Sequence, residues 1–316
     1  MLKSANLVAI AGPTGSGKSE LALRIAERFD GEVVNCDSVQ IYRFFDIGTA
    51  KLAAAERREI PHHLIDIADP CELFTAGDFA RVGRPVLREI ALRGRLPVVT
   101  GGTGFYLRAL IDGLAPGPQR DENLRVGLRA REAKRPGCAH RFLRRLDPTT
   151  AARIHPNDLP KVIRALEICL SERRSATEVF AEGRDALRDF RTLKIGLFPD
   201  RARLYQRLES RMQAMFSGGL VEEAARILER GYAPECKPFE SIGYKQALQV
   251  LRGELSDKDA LFYATRETRR YAKRQMTWFR QEPGLEVFSG FGDEPATAAR
   301  VEARVQAFLS GDAANA

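Results

Sequence analysis

The feature that most constrains this chain is the octapeptide Gly-Pro-Thr-Gly-Ser-Gly-Lys-Ser, which spans residues 12–19. It follows an apolar run over 7–11 that predicts a buried strand, and it precedes a helical pattern over 19–28. A strand, a glycine-rich turn ending in Gly-Lys-Ser and a helix form the context in which a loop binds phosphate groups. Glycines let backbone N–H groups turn inward, and the helix adds the positive end of its dipole. The segment therefore predicts a polyphosphate site, and a plain turn explains it poorly.

Every residue of this phosphate loop is a candidate diphosphate ligand. The set is Gly12, Pro13, Thr14, Gly15, Ser16, Gly17, Lys18 and Ser19. Lys18 supplies a point charge, and the Ser19 hydroxyl is a suitable Mg²⁺ ligand. The loop alone does not tell which polyphosphate binds, or whether a phosphoryl group is transferred.

Composition sets the class of protein. The 316 residues can form a large core in two domains, and a net charge of +8 makes a polyanionic partner plausible, although many basic proteins have none. The five cysteines are scattered and form no C-x-x-C pair, so we expect neither a disulfide framework nor a zinc site. No stretch resembles a signal peptide or a membrane span, which favours a cytoplasmic protein.

Short β-branched and apolar runs alternate with helical patterns along the chain. They predict an α/β fold, a P-loop NTPase-like parallel sheet flanked by helices. A linker at 115–118 introduces a helical, basic stretch, so we predict a core from 1–114 and 191–316 with an all-helical domain inserted at 115–190. Asp37 follows the second strand and Thr103 follows a later one, so both should lie near the phosphate loop. For Asp37, a helix cap or a magnesium ligand are serious alternatives to catalysis.

Two stretches carry an excess of positive charge. Residues 120–146 contain nine Lys or Arg against three acidic residues, and 266–280 contain six against one, with aromatic residues interleaved. Basic and aromatic groups mixed on one helix suit a nucleic-acid backbone with exposed bases. A solvated helix explains the aromatic residues as a buried stripe, but it does not explain the charge imbalance.

Several motifs together resemble the tRNA dimethylallyltransferases (tRNA isopentenyltransferases) of bacterial type. Besides the phosphate loop they are D-S-V-Q-I-Y at 37–42, D-I-G-T-A-K at 46–51, G-G-T at 101–103, H-P-N-D at 155–158, I-G-Y-K at 242–245 and K-R-Q-M-T-W-F-R at 273–280. The resemblance covers residues 12–280. The chain departs from the family pattern at Leu52, where proline is usual, and at Lys161, where arginine is commoner.

The resemblance implies transfer of a dimethylallyl group from dimethylallyl diphosphate to N6 of the adenosine at position 37 of tRNAs that read codons beginning with U. It also implies that Thr14 lies near the bridging oxygen and that Arg211 contacts the pyrophosphate. Negative charge grows on the leaving pyrophosphate, so Lys18, Arg211 and Mg²⁺ on Ser19 should stabilise it. Asp37 is the candidate general base for the N6 proton.

The resemblance further implies a set of contacts to the anticodon stem-loop of tRNA, in an enzyme that we expect to be a monomer. That set is Asp37, Ser38, Val39, Gln40, Thr103, Arg125, Pro160, Lys161, Val162, Ile163, Arg164, Glu240, Ser241, Ile242, Gly243, Tyr244, Lys245, Lys273, Arg274, Gln275, Met276, Thr277, Trp278, Phe279 and Arg280. Because the base must leave the anticodon stack, Thr103 and Arg125 should hold the flipped-out nucleotide.

Three other functions remain open at this stage. A P-loop kinase or NTPase would need a nucleoside triphosphate, which the transferase does not. An adenylate isopentenyltransferase acting on free AMP would have no use for the two basic stretches. A non-catalytic RNA-binding module would leave Asp37 and the phosphate loop without a role.

Overall fold

A six-stranded parallel sheet forms the centre of the computed structural model, which describes residues 4–311. The strands are β1 (Ala5–Ala11), β2 (Gly31–Asn35), β3 (His62–His63), β4 (Leu96–Gly101), β5 (Phe190–Phe198) and β6 (Leu285–Ser289). Their order across the sheet is β3-β2-β4-β1-β5-β6. Every pairing is parallel, which confirms the predicted fold class.

Burial on both faces explains why the central strands are almost continuously apolar. In β1, residues 7–11 are fully buried, and β2 and β4 are buried along nearly their whole length. Parallel strands covered by helices on both sides have this composition rather than an alternating one. Because β1 lies between β4 and β5, the loop that follows it emerges in the middle of the carboxyl edge.

The helices before and after the inserted segment pack on the sheet or on one another. They are α1 (Lys18–Arg28), α2 (Ala76–Leu92) and α3 (Gly104–Ile111), and, after the inserted segment, α9 (Arg201–Ser217), α10 (Leu220–Glu229), α11 (Tyr244–Leu251), α12 (Asp257–Phe279) and α13 (Pro295–Ser310). Single 3₁₀ turns lie at Ala54–Arg57 and Lys237–Glu240. Helices α1 and α13 share one apolar cluster with β1, β4 and β5. Helix α2 follows the cap residue Thr75 and continues through Pro85 without interruption.

The chain divides into two compact units. The first comprises residues up to 110 together with those from 187 onward, and the second comprises 111–186. These bounds lie four residues before those predicted from the linker composition. The second unit contains α4 (Glu122–Lys134), α5 (Cys138–Leu146), α6 (Pro148–Arg153), α7 (Leu159–Glu172) and α8 (Ala176–Ala181). It has its own apolar core, to which α7 contributes most.

A disulfide joins Cys71 to Cys236 in the first unit, contrary to our expectation from the sequence. The two cysteines are 165 residues apart, so their spacing gave no sign of the pairing. The other three cysteines are free. Among the described helices, none combines the length and the apolar character that crossing a bilayer requires.

A buried carboxylate organises the second unit. The Glu167 side chain is fully buried and accepts hydrogen bonds from both nitrogens of the Arg125 fork, at 2.8 and 2.7 Å. Arg164 and the backbone N–H of Asp121 also donate to it. Burial alone would raise the pKa of this carboxyl, but these four donors outweigh burial and lower it to about 2. Arg125 and Arg164 thus have a structural partner inside their own unit.

We predict that Glu167→Gln destabilises the protein by about 3 kcal/mol at pH 7, because two arginines lose their buried counter-charge. The lowered pKa means that the carboxylate stabilises the fold fully at neutral pH, and that this contribution fades as the pH falls from about 5 towards 2. Thermal unfolding followed by circular dichroism should therefore show a smaller difference from wild type at pH 3 than at pH 7. Glu122→Gln is the control, since its ion pairs to Arg120 and Arg129 are exposed. Equal effects of the two variants would contradict the prediction.

Candidate active site

The phosphate loop begins at the carboxyl end of β1 and ends in the first turn of α1. Gly15 and Gly17 have φ angles of 77° and 80°, in the left-handed region that favours glycine. At Gly17 a Cβ atom would also lie 2.8 Å from the backbone nitrogens of Gly292 and Asp293, so a larger residue would require that backbone to shift. Lys18 folds back over the loop, and its ammonium group donates to the carbonyl of Pro13 at 2.7 Å.

Gln275 of α12 holds this loop in place. Its side-chain carbonyl accepts the backbone N–H of Thr14 at 2.9 Å, and its amide nitrogen donates to the carbonyl of Gly102 at 2.8 Å. The side chain is buried, so both bonds are protected from water. Gln275 therefore ties the phosphate loop to the second glycine-rich turn, at the end of β4. The sequence had placed it among the tRNA contacts instead.

Asp37 and Thr103 lie together at the ends of adjacent strands, as predicted from their positions. Thr103 Oγ1 accepts the backbone N–H of Ser38 at 3.0 Å and donates to the Ser38 hydroxyl at 3.2 Å. Asp37 Oδ1 accepts the N–H groups of Val39 and Gln40 at 2.9 and 3.3 Å, as in a cap. Within the described chain no hydrogen-bond partner is seen for Oδ2, so Asp37 combines a cap with an available carboxylate oxygen.

Two cavities meet at Asp37. The larger, about 620 Å³, is lined by the phosphate loop, and we call it the loop cavity. The smaller, about 320 Å³, is the adjoining cavity, and its walls include the apolar side chains of Leu208, Met212, Met215 and Ile242. Both cavities share five lining residues: Thr14, Asp37, Thr49, Arg211 and Tyr271. A group in one cavity can therefore reach a group in the other beside the Asp37 carboxylate.

Positive charge converges on this junction. Burial lowers the pKa of Lys18 to about 7; the nearby Asp37 opposes this effect and Arg211 adds to it. Burial also lowers the pKa of Arg211, with a further contribution from Arg207. Among the described residues, Arg211 has no hydrogen-bond or ion-pair partner. Such a site gains stability from an anion that compensates the two cations.

Unpartnered buried hydroxyls also lie at this site. Ser16 belongs to the phosphate loop, Thr100 lines the loop cavity and Thr268 lines the adjoining one, and within residues 4–311 their buried hydroxyl oxygens have no hydrogen-bond partner. Buried polar atoms usually have partners, so hydroxyls without one suit a site that binds a polar ligand.

The other sequence-predicted residues near Asp37 divide between walls and supports. Ser38 and Val39 line the adjoining cavity, while Gln40 lines the loop cavity and donates to the carbonyl of Thr49 at 2.9 Å. Glu240, Ser241 and Ile242 also line the adjoining cavity. Gly243 and Tyr244 are buried, and Lys245 is exposed.

Tyr244 stabilises the wall of the adjoining cavity without lining the cavity itself. Its hydroxyl accepts the N–H of Gly48 at 3.1 Å and donates to the buried carboxylate of Glu223. Glu223 in turn accepts the N–H of Ile47 at 3.1 Å. These bonds fix the segment that carries Gly48 and Thr49 to the cavity, so Tyr244 supports the wall from behind.

The basic end of α12 presents a mixed surface. Lys273, Arg274, Thr277 and Arg280 are exposed, while Met276 and Phe279 face the core, so a nucleic-acid contact would use the exposed group. Trp278 is half-buried, with the guanidinium of Arg108 4.3 Å from its ring centre. In the second unit, Pro160 and Lys161 are exposed, whereas Val162 and Ile163 belong to the apolar core.

Sequence reasoning missed several residues that line the cavities. Thr49 and Tyr271 lie at the junction itself, and Met212 and Met215 line the adjoining cavity. A signal for the methionines existed, since they follow Leu208 at helical spacing on the helix that carries Arg211. Thr49 belongs to the D-I-G-T-A-K motif at 46–51, but the motif did not show that Thr49 reaches the cavity, because that position depends on Glu223 and Tyr244.

We predict that Gln275→Leu weakens binding of inorganic pyrophosphate by about tenfold, since the N–H of Thr14 loses its partner and the loop loses its tie to Gly102. Gln275→Glu keeps the acceptor but not the donor, so its loss should be intermediate. Calorimetric titration at fixed pH measures both values. Thr277→Ala, an exposed change two residues further on, is the control. A Gln275→Leu variant with wild-type affinity would exclude the proposed role of this side chain.

Comparison with known proteins gives a consistent result. A family model described as IPP transferase matches residues 40–282. A tRNA dimethylallyltransferase of Solibacter usitatus is 63% identical over 303 residues, which cover 96% of this chain and 99% of that protein. A protein of the same name from Koribacter versatilis is 53% identical over 291 residues, covering 92% and 94%.

Solved structures agree with these sequence matches. The full-length tRNA isopentenylpyrophosphate transferase of Bacillus halodurans superposes with a TM-score of 0.70 at 38% identity, covering 97% of this chain and 96% of that one. A eukaryotic dimethylallyltransferase acting on tRNA gives a TM-score of 0.85 at 30% identity, covering 98% and 80%. The resemblance drawn from the motifs is confirmed, and the chain belongs to the IPP transferase family.

Proposed function

We propose that this chain transfers a dimethylallyl group from dimethylallyl diphosphate to N6 of the adenosine at position 37 of tRNA. The observation that carries the proposal is the meeting of two cavities at Asp37, Thr14 and Arg211. Transfer between two substrates needs both reacting groups at one point with a base beside them. The relatives named tRNA dimethylallyltransferase support this reading over a kinase or a free-nucleotide prenyltransferase.

The diphosphate of the donor occupies the loop cavity in this scheme. Backbone N–H groups of the loop, Lys18 and Arg211 surround its oxygens, and the allylic carbon points to the junction. As the bond from that carbon to the bridging oxygen breaks, negative charge grows on pyrophosphate. Because Lys18 and Arg211 are already in place and partly desolvated, they stabilise that charge without reorganisation.

The flipped adenosine enters the adjoining cavity. Its N6 attacks the allylic carbon, a C–N bond forms, and the N6 proton passes to Asp37. The Oδ2 atom is suited to accept it because the capping hydrogen bonds of Asp37 use only Oδ1. Pyrophosphate leaves as the second product, so the exchange balances without a nucleoside triphosphate.

Oxygen donors at the loop cavity fit a Mg²⁺ ion. The Ser19 hydroxyl would be the protein ligand, and the diphosphate and water would supply the remaining ligands, as Mg²⁺ usually requires. When bound, the ion would add positive charge next to the leaving pyrophosphate. No group of three or more potential His, Cys, Asp or Glu ligands lies together within residues 4–311.

The tRNA meets the enzyme on the exposed basic surface of α12 and on the second unit. Lys273, Arg274 and Arg280 attract the phosphate backbone, while Ser38, Val39 and the 240–242 segment surround the reacting nucleoside. We propose that the enzyme acts as a monomer, with all five junction residues supplied by one chain. The enzyme acts where tRNA is found, in the cytoplasm.

We predict that Asp37→Asn lowers the transfer rate by a hundredfold to ten-thousandfold and leaves tRNA affinity unchanged. Asparagine keeps a carbonyl that can accept the N–H groups of Val39 and Gln40, so the cap survives and only the base is lost. The assay follows label from radioactive dimethylallyl diphosphate into unmodified tRNA, with no ATP present. If Asp37→Asn retained nearly full activity while Asp37→Ala lost it, Asp37 would be a cap and not the base. Labelling that required ATP would overturn the function itself.

We predict that Lys273→Ala with Arg274→Ala weakens tRNA binding and reduces its salt dependence, because each lost phosphate contact removes about one unit of the salt slope. Affinity for dimethylallyl diphosphate should fall less than affinity for tRNA, since neither side chain lines the loop cavity that receives the diphosphate. Filter binding at several salt concentrations measures the slope. The matched control removes two exposed cations at the other end of this region, Arg252 at the end of α11 and Lys258 in the first turn of α12. A wild-type slope in the first variant would exclude this surface.

A further inference from the structure

The segment 290–294, between β6 and α13, packs against the outer side of the phosphate loop. The N–H of Gly292 donates to the carbonyl of Ser16 at 2.9 Å. At Gly17, a hypothetical Cβ would lie 2.8 Å from the backbone nitrogens of both Gly292 and Asp293, so loop and segment are in direct contact. Asp293 therefore places a carboxylate at the rim of the phosphate site, which is an unexpected charge to find beside an anion.

That carboxylate is paired with an arginine that faces the cavity. Arg207 donates from both terminal nitrogens to the two oxygens of Asp293, at 2.9 and 2.8 Å. Arg207 also lines the loop cavity, together with Lys18 and Arg211, whereas Asp293 does not. Its guanidinium lies 4.9 Å from the centre of the Phe291 ring, which supports the side chain from one side. Arg207 is therefore both paired and within reach of the cavity.

The energetics favour an exchange of partners. Arg207 lies one turn before Arg211 on α9, so the two guanidinium groups share a helix face. The positive charge of Arg207 helps to lower the pKa of Arg211, so the two cations interact unfavourably when no anion is present. Asp293 compensates Arg207, but about 40% and 35% of the two side chains is exposed, and such pairs contribute little. A diphosphate offers the same fork geometry with more charge.

We infer that Arg207 is a second diphosphate-binding arginine, which Asp293 holds until the donor arrives and then releases. This inference rests on the proposed function, in which the loop cavity receives the donor diphosphate. On binding, the Arg207 fork turns from the Asp293 carboxylate to the terminal phosphate, while Arg211 remains on the junction side. Asp293 thus competes with the ligand for Arg207, and its carboxylate lowers affinity for the diphosphate.

Opposite effects of the two partners test this inference. Arg207→Gln should weaken binding of inorganic pyrophosphate and of dimethylallyl diphosphate by about tenfold, because one charged contact is lost. Asp293→Asn should strengthen both by about threefold to tenfold, because Arg207 loses its competitor. Calorimetric titration gives the affinities, and thermal unfolding of each variant checks the fold. A gain of affinity in Asp293→Asn cannot result from damaged folding.

The chain offers a matched control pair one turn earlier on α9. Arg203 donates to Glu294 at 2.7 Å and lies 5.2 Å from the centre of the same Phe291 ring, but it does not line the loop cavity. Arg203→Gln and Glu294→Gln should therefore leave both affinities within about twofold of wild type. If they shifted affinity as much as the Arg207 and Asp293 variants, the effects would belong to the segment and the inference would be overturned.

Two further outcomes decide between the inference and the proposed function. If Asp293→Asn and Arg207→Gln both weakened binding, the pair would be a structural brace, and the exchange of partners would be excluded. If wild type transferred no prenyl group to tRNA while the two variants shifted pyrophosphate affinity in opposite directions, the proposed function would fail and the role of Arg207 would stand. Pyrophosphate binding needs neither tRNA nor transfer, so the two failures remain distinguishable.

Discussion

The structure depends on keeping one loop of backbone amides turned inward at the end of the central strand. Such a loop has little stability of its own, because its glycines pay a high conformational entropy cost and its N–H groups point at a ligand rather than at each other. Contacts from distant parts of the chain supply what is missing. Gln275 holds the N–H of Thr14 from α12, and Gly292 holds the carbonyl of Ser16 from the segment after β6. The phosphate site is therefore built from both ends of the sequence.

Charge in this site is arranged for a ligand rather than for the fold. Lys18 and Arg211 are partly desolvated beside a single carboxylate, Asp37. A fold selected only for stability would pair these cations with more acidic groups, as the second unit does by surrounding Glu167 with Arg125 and Arg164. The cations around Glu167 are paired with a carboxylate and form a structural ion cluster, whereas Lys18 and Arg211 lack such pairing within residues 4–311, as is typical of a binding site.

The two cavities differ in the way a two-substrate transfer requires. One is lined by backbone amides and cations, and the other has methionine, leucine and isoleucine beside hydroxyl groups. Asp37 belongs to both, and its orientation is fixed by the N–H groups of Val39 and Gln40, while Thr103 fixes the neighbouring Ser38. Thr49 reaches the junction because Glu223 and Tyr244 accept the backbone N–H groups of Ile47 and Gly48, which precede it. Residues away from the reacting atoms thus determine the shape of the junction between the two cavities.

The sequence by itself determined the parallel sheet, the phosphate loop and the placement of Asp37 and Thr103 at strand ends, because strand periodicity and turn chemistry are local properties. It also determined the family, because the motifs are contiguous. Only the tertiary structure decided that Gln275 binds the loop rather than facing solvent and that Cys71 pairs with Cys236. It also decided that Arg207 pairs with Asp293 at the rim of the site. These pairs lie 261, 165 and 86 residues apart, and no local pattern encodes which distant side chain will reach a given backbone group. Long-range contacts depend on how the elements pack, and a single sequence does not show that packing.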